Sequence, residues 1–108
     1  MSKIELPQGT LDLLVLRVLS GGEMHGWGIA QRLSLLSNEA LKLQEGSLYP
    51  ALYRMEAKGW ITAEWAQSEN NRRAKYYRLT KAGRTRLQQE QQDWDRLSEL
   101  VAAVLKAT

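Results

Sequence analysis

The stretch Glu45-Gly46-Ser47-Leu48-Tyr49-Pro50-Ala51-Leu52-Tyr53-Arg54-Met55-Glu56-Ala57-Lys58-Gly59-Trp60-Ile61 decides the fold. It reads as one helix and its exit. Gly46 and Ser47 are small and polar and suit a helix start, where free backbone N–H groups need acceptors. Pro50 is expected in the first turn, where a missing N–H costs little. Leu48, Ala51, Leu52 and Met55 recur at helical spacing and form an inward stripe. Tyr49, Tyr53, Arg54 and Lys58 fall largely outside it. Gly59 is expected to end the helix, because the positive φ common there is easiest for glycine. An apolar back with a tyrosine-and-cation front suits a polyanion groove. An ordinary surface helix is the competing reading.

Working outward toward the N-terminus, a second helix is predicted from about Gly26 to Ser37, with Ile29, Leu33 and Leu36 on its inner face. His25 at its start reads as structural, since no carboxylate or nucleophile stands beside it in a motif. Trp27 reads as a packing residue. Asn38 to Leu43 is a connection, with a short strand allowed at Lys42–Gln44. Two helices joined this way, the second facing outward, make a helix-turn-helix. Before them, Thr10 is expected to cap a helix from Leu11 to about Ser20, stopped by Gly21-Gly22. Its run Leu11-Asp12-Leu13-Leu14-Val15-Leu16-Arg17-Val18-Leu19 is apolar nearly all round, so it is expected between two layers. A partner subunit is one second layer; a central place in one small core is the alternative.

Downstream, Ile61-Thr62-Ala63-Glu64-Trp65 alternates apolar and polar, and Lys75-Tyr76-Tyr77-Arg78-Leu79 is rich in residues that favour sheets. Ser68 to Arg73 between them is a polar hairpin tip, where asparagine tolerates a left-handed backbone. The pair forms a two-stranded wing. Thr80 is expected to cap a last helix from Lys81 to about Lys106, roughly 39 Å long at about 1.5 Å per residue. Gly83 should weaken its first turn. Leu87, Trp94 and Val101 repeat every seven residues, as do Leu97 and Val104, giving a seam of coiled-coil type. This sets the expected organisation: a DNA-binding unit over 1–80 and a dimerisation helix over 81–108. The fold class is mainly α with a small β-wing.

The net charge of +3 is unevenly spread: residues 1–41 carry −1, 42–86 carry +6 and 87–108 carry −2. From Asn70 to Gln89 stand Arg72, Arg73, Lys75, Arg78, Lys81, Arg84 and Arg86 without an acid. Such a localised cationic segment suits an anionic partner, and guanidinium groups on a hairpin fork onto phosphate oxygens. With no cysteine and one histidine, disulfide, thiolate and histidine-clustered metal chemistry within the chain are excluded. No convergent acid, base or nucleophile constellation is found, so no enzyme and no cofactor is expected. No apolar run approaches the roughly 20 residues that span a bilayer, and Met1 to Gln8 lacks a secretory layout. The expected location is cytoplasmic.

Four segments then carry a resemblance: Gly9-Thr10-Leu11-Asp12-Leu13-Leu14-Val15-Leu16, His25-Gly26-Trp27-Gly28-Ile29, Glu45-Gly46-Ser47-Leu48-Tyr49-Pro50-Ala51-Leu52, and Arg72-Arg73-Ala74-Lys75-Tyr76-Tyr77-Arg78-Leu79-Thr80. In this order and spacing the chain resembles the PadR family of bacterial transcriptional regulators, in its short form. The resemblance covers about residues 5–105. It implies a winged helix-turn-helix protein that binds double-stranded DNA as a dimer, usually as a repressor. It implies that Ser47, Tyr49, Tyr53 and Arg54 face the major groove and its phosphates, and that Arg72, Arg73 and Lys75 hold backbone or minor groove. It implies a dimer built by the first and last helices, through Leu11, Leu14, Leu87, Trp94, Leu97, Val101 and Val104. Some members bind flat aromatic effectors at that interface through a tryptophan of the last helix, and Trp94 stands at the corresponding place; plain seam packing is the competing reading. Where family members often have tyrosine after His-Gly, this chain has Trp27.

Two function classes follow. The first is a homodimeric regulator on a palindromic operator, relieved by a small effector. The second is a winged-helix module that binds protein and not nucleic acid; the +6 middle segment argues against it.

Overall fold

The computed structural model describes residues 6–41 and 45–107. Four helices and a small sheet follow in the order α1 (Gln8–Leu19), β1 (Met24–His25), α2 (Gly26–Leu36), α3 (Glu45–Ala57), β2 (Ile61–Gln67), β3 (Arg73–Leu79) and α4 (Lys81–Ala107). The strands form one antiparallel sheet in the order β1-β3-β2. This is the winged helix-turn-helix arrangement with a long C-terminal helix.

Helix α1 begins three residues earlier than Thr10 suggests. Pro7 is its N-cap, and the Leu11 N–H reaches the Pro7 carbonyl at 3.0 Å. Proline sets the fixed φ that leads into a helix, and it had no N–H to lose. The helix is central: it packs against α2, α3, α4 and β3, with Leu11, Val15, Leu16, Val18 and Leu19 buried. Its second layer therefore comes from its own chain. Leu11, expected at a dimer interface, belongs to the core of its own subunit, and Leu14 is half-buried against that core.

His25 caps α2, accepting the Gly28 N–H on Nδ1 at 2.9 Å. Ile29 and Leu33 are buried, but Leu36 and its neighbour Leu35 are exposed, because α2 ends at Leu36 and the chain turns away there. The Ser37 hydroxyl fastens that end, donating to the Leu33 carbonyl and accepting the Leu41 N–H. Asn38 and Glu39 follow in the left-handed region. The strand considered at Lys42–Gln44 lies outside the described residues.

Helix α3 starts at Glu45, so Ser47 stands inside its first turn and Pro50 in the second, one turn later than expected. Leu48, Ala51, Leu52 and Met55 are buried as the inner stripe. Gly59, at φ +78°, ends it. The Trp60 N–H bonds the Met55 carbonyl at 3.1 Å and the Gly59 N–H bonds that of Glu56 at 3.0 Å, a paired closure of the last turn.

The wing is longer than expected and is joined by a third strand. Pairing runs from Ile61 opposite Leu79 to Gln67 opposite Arg73, and β1 adds Met24 opposite Tyr77 and His25 opposite Tyr76. Two residues of strand between glycines carry too little pattern to be read from the sequence. At the tip, Asn71 takes a positive φ of 62°.

Thr80 caps α4: its Oγ1 accepts the Gly83 N–H at 2.9 Å and donates to the Gly59 carbonyl. Leu87, expected on the dimer seam, is buried with the core, because the first two turns of α4 still lie on the domain. Residues 91–107 of that helix are exposed throughout, including Trp94, Leu97, Leu100, Val101 and Val104.

Candidate nucleic-acid interface

Strand alternation sets out the wing's two faces. Ile61, Ala63 and Trp65 share one face with Leu79, Tyr77 and Lys75, which stand opposite them. The inner ends of this face close the core through Ile61, Tyr77 and Leu79. Its outer end runs on past the core and carries Trp65, Lys75 and Arg73 into the open beside α3. The result is a hollow of about 640 Å³ between the start of α3 and the wing, lined by Tyr49, Arg72, Arg73 and Lys75 together with Trp27 and Trp65.

Each expected contact residue has a definite place. Ser47 and Tyr53 are exposed on α3, Tyr53 to 76%. Tyr49 leans across the hollow onto Gly26. A Cβ built on Gly26 would stand 2.6 Å from the Tyr49 ring, so the bare glycine lets the ring lie down. Arg72 and Arg73 are exposed, and the Arg73 guanidinium lies 5.7 Å from the Trp65 ring centre. That contact steadies a long side chain without using up its hydrogen-bond donors.

One expected contact is corrected, and a second is shared with a neighbouring acid. Arg54 does not face outward: its guanidinium is engaged by Asp12 of α1. Arg54 stands three residues after the buried Ala51, at the border of the inner stripe, and its length carries it inward. Asp12 is the buried acid that draws it in. Burial raises the Asp12 carboxyl above its ordinary 3.8, against the opposing pull of Arg54. Lys75 is committed in part: its Nζ lies 3.1 Å from Glu56 Oε1. The hydrogen bond to Glu56 holds the ammonium above the usual lysine range. Lys75 also lies 5.7 Å from the ring of Tyr77, whose phenol is pushed up by burial.

Trp27 and Trp65 line the hollow as well, although neither stands among the expected contacts. Trp27 is 56% exposed and lines the hollow in place of packing inside. Trp65 is exposed to the same extent. Its signal was legible: it continues the Ile61, Ala63 alternation on the core face, two residues beyond where a small core ends.

Among the described residues no cluster of His, Cys, Asp and Glu could hold a metal ion, and no helix is long and apolar enough to cross a membrane.

The sequence model of the transcriptional regulator PadR-like family matches residues 15–89, more than two thirds of the chain. The chain belongs to the PadR family. A transcriptional regulator of Mycobacterium tuberculosis is 30% identical over 97 residues, covering 90% of this chain and 87% of that protein. Among solved structures, a PadR family transcription regulator from Clostridium difficile superposes with a TM-score of 0.76 at 31% identity, covering 88% of this chain and 97% of that one. A transcriptional regulator from Clostridium thermocellum gives a TM-score of 0.82 at 26% identity, covering 89% and 93%. PadR proteins and these structural neighbours are transcriptional regulators, not enzymes. The hollow between α3 and the wing thus lies on the DNA-binding fold of a regulator.

Proposed function

We propose that this PadR-family chain is a homodimeric repressor of a palindromic operator, released by a small effector. The observation that carries the DNA half of this reading is the gathering of Tyr49, Arg72, Arg73 and Lys75 around one hollow. Ser47, Tyr49 and Tyr53 on α3 would enter the major groove, while Arg72 and Arg73 hold backbone or minor groove. Lys75 would join them by leaving or sharing Glu56. Arg54 acts from behind, fixing α3 on α1.

The dimer half is supported by Trp94, Leu97, Val101 and Val104, an apolar row at coiled-coil spacing along an exposed helix. Pairing two such rows would set two recognition helices for successive major grooves, about 34 Å apart. In that pairing Trp94 would meet its symmetry mate, and two facing indoles make a slot for a flat aromatic effector.

Footprinting of the purified protein on the DNA just upstream of its own coding region tests the reading. Protection of two half-sites one helical turn apart is expected. Uniform cleavage at low salt across that region and across mixed-sequence duplex would overturn it.

A further inference from the structure

A second hollow, of about 630 Å³, opens on the far side of His25 and Trp27, between α2 and the wing. It is built unlike the first. Its wall is aromatic: the His25 ring centre lies 6.1 Å from that of Trp27 and 5.3 Å from that of Tyr76, the latter edge-on. Its rim carries three carboxylates, Glu23, Glu39 and Glu69, against one basic side chain in the lining, Arg32. In a chain of net charge +3 this is a local reversal of sign.

The three carboxylates come from separate places. Glu23 precedes β1, Glu39 follows α2, and Glu69 stands in the β2–β3 turn. Those three segments meet only in the folded chain. The histidine is already committed: its Nδ1 accepts the Gly28 N–H, and its Nε2 lies 3.7 Å from Glu69 Oε1. The Trp27 ring is left with more than half its surface open.

We infer that this hollow is a binding site for a small organic cation, an aromatic or alkyl ammonium. An anion would meet three carboxylates. A neutral apolar molecule would use the rings and leave the carboxylates idle. A metal ion finds no cluster among the described residues close enough to ligate it. An organic ammonium uses both features: ring faces attract its charge, carboxylates at the rim neutralise it, and its carbon skeleton covers the indole. The site is separate from the Trp94 row on α4, and its occupancy is read without DNA.

The test is a titration of the full chain with benzyltrimethylammonium, and with phenylacetate as the anionic control, read on the indole N–H of Trp27 by nitrogen-15 NMR. Trp27→Phe assigns the signal. A saturable shift of Trp27 with the ammonium at low-millimolar concentration is expected, with none from phenylacetate. By calorimetry, Trp27→Ala should weaken binding about tenfold, and the pair Glu23→Gln and Glu69→Gln should weaken it several-fold. All three positions are exposed, so folding should persist, and an unchanged melting temperature checks this. Equal responses to cation and anion, no saturable change at Trp27, or a shift centred on Trp94 with Trp27 unmoved would each overturn the assignment.

Discussion

The backbone carbonyl of Trp60 occupies the place where a side chain on Gly83 would begin. A Cβ built on Gly83 falls 2.0 Å from that oxygen. The same carbonyl accepts the Thr80 N–H at 3.1 Å and lies 3.1 Å from the Thr80 Oγ1, whose proton it shares with the nearer Gly59 carbonyl. The start of α4 is thereby clamped to the exit of α3. Around this joint, Lys58 and Arg86 each lie 4.8 Å from the Trp60 ring. On helix propensity alone, Gly83→Ala should stabilise by about 1 kcal/mol. The contact is with backbone, which cannot swing aside, so the clash should win and the net change should be a loss of about 1–3 kcal/mol. Urea denaturation of Gly83→Ala against the parent measures this, and a gain in stability would mean that α4 shifts freely on α3.

Asp12 and Arg54 make a second joint, between α1 and α3. Asp12→Ala strips a largely buried guanidinium of its acceptor. Fully buried pairs lose about 3–5 kcal/mol this way; the Arg54 side chain keeps 27% exposure, so about 2 kcal/mol is expected. Asp12→Asn keeps an acceptor oxygen and should cost less. The pH dependence has a defined sign. Burial raises the folded-state pKa of Asp12 above 3.8, so the folded chain binds this proton more tightly than the unfolded one. The stability it contributes is full below the ordinary carboxylate range and is lost as pH rises through the raised value. The melting-temperature difference between parent and Asp12→Asn should therefore drift against the parent as pH rises from the ordinary carboxylate range through the raised value, and level off above it.

How far the sequence could be read depends on where a residue's role is decided. Periodicity set out the inner stripe of α3, because it is a local repeat, and along α4 it marked an apolar row whose first residue, Leu87, belongs to the core and whose later residues are exposed. Gly59 and Thr80 were legible as a stop and a cap for the same reason. Arg54 was not, since its direction depends on Asp12, 42 positions away and buried on another helix. Leu11 and Leu87 were placed on a dimer interface because an apolar residue does not say which layer covers it. Trp27 and the two-residue β1 owe their positions to β3, whose Tyr76 and Tyr77 pair with His25 and Met24. Gly83 carried the opposite lesson: it reads as a weak point in a helix and proves to be the close approach that seats it.

Arg73 and Arg54 separate display from support. Arg73→Ala should weaken binding to specific and mixed-sequence duplex by similar factors and reduce the salt slope by about 1, as the loss of one phosphate contact does. Its melting temperature should not move, because the side chain is exposed and rests on the surface beside Trp65. Arg54→Ala should show the reverse order, a fall in stability with the salt slope unchanged. Fluorescence anisotropy across a salt series, beside thermal melts, resolves the two. A changed salt slope in Arg54→Ala alone would return that residue to the phosphate-facing set.

Gly26 gives a way to move Tyr49 without touching it. With Cβ to ring distances of 2.6 to 2.9 Å, Gly26→Ala must push the ring off its seat. Tyr49 is 42% exposed and has open space to move into, so the strain on the fold should stay below about 1 kcal/mol. If Tyr49 contacts DNA from that seat, Gly26→Ala should weaken operator binding by about tenfold, or about 1.4 kcal/mol, while mixed-sequence binding changes less. Tyr49→Phe distinguishes the hydroxyl from the ring. Operator affinity unchanged in Gly26→Ala would mean that the seat of Tyr49 has no part in recognition.

The α4 row makes the dimer reading testable without disturbing the core of the subunit. Leu97 and Val101 are about half exposed and lie beyond Leu87, the last buried residue of the helix among those described. Neither position belongs to the buried core among the described residues, so a charge there should leave the core of its own subunit intact. In a paired seam it would face its own copy across a dry interface, where desolvation and like-charge repulsion act together. Leu97→Glu should therefore raise the dimer dissociation constant by at least about a hundredfold, roughly 2.7 kcal/mol, while the melting transition of the subunit, extrapolated to low concentration, stays in place. Sedimentation equilibrium of parent and variant over a concentration series reads the first quantity, and circular dichroism melts the second. A parent that sediments as a single subunit at micromolar concentration would remove the dimer. A variant that remains dimeric would place the interface on some other face of the chain.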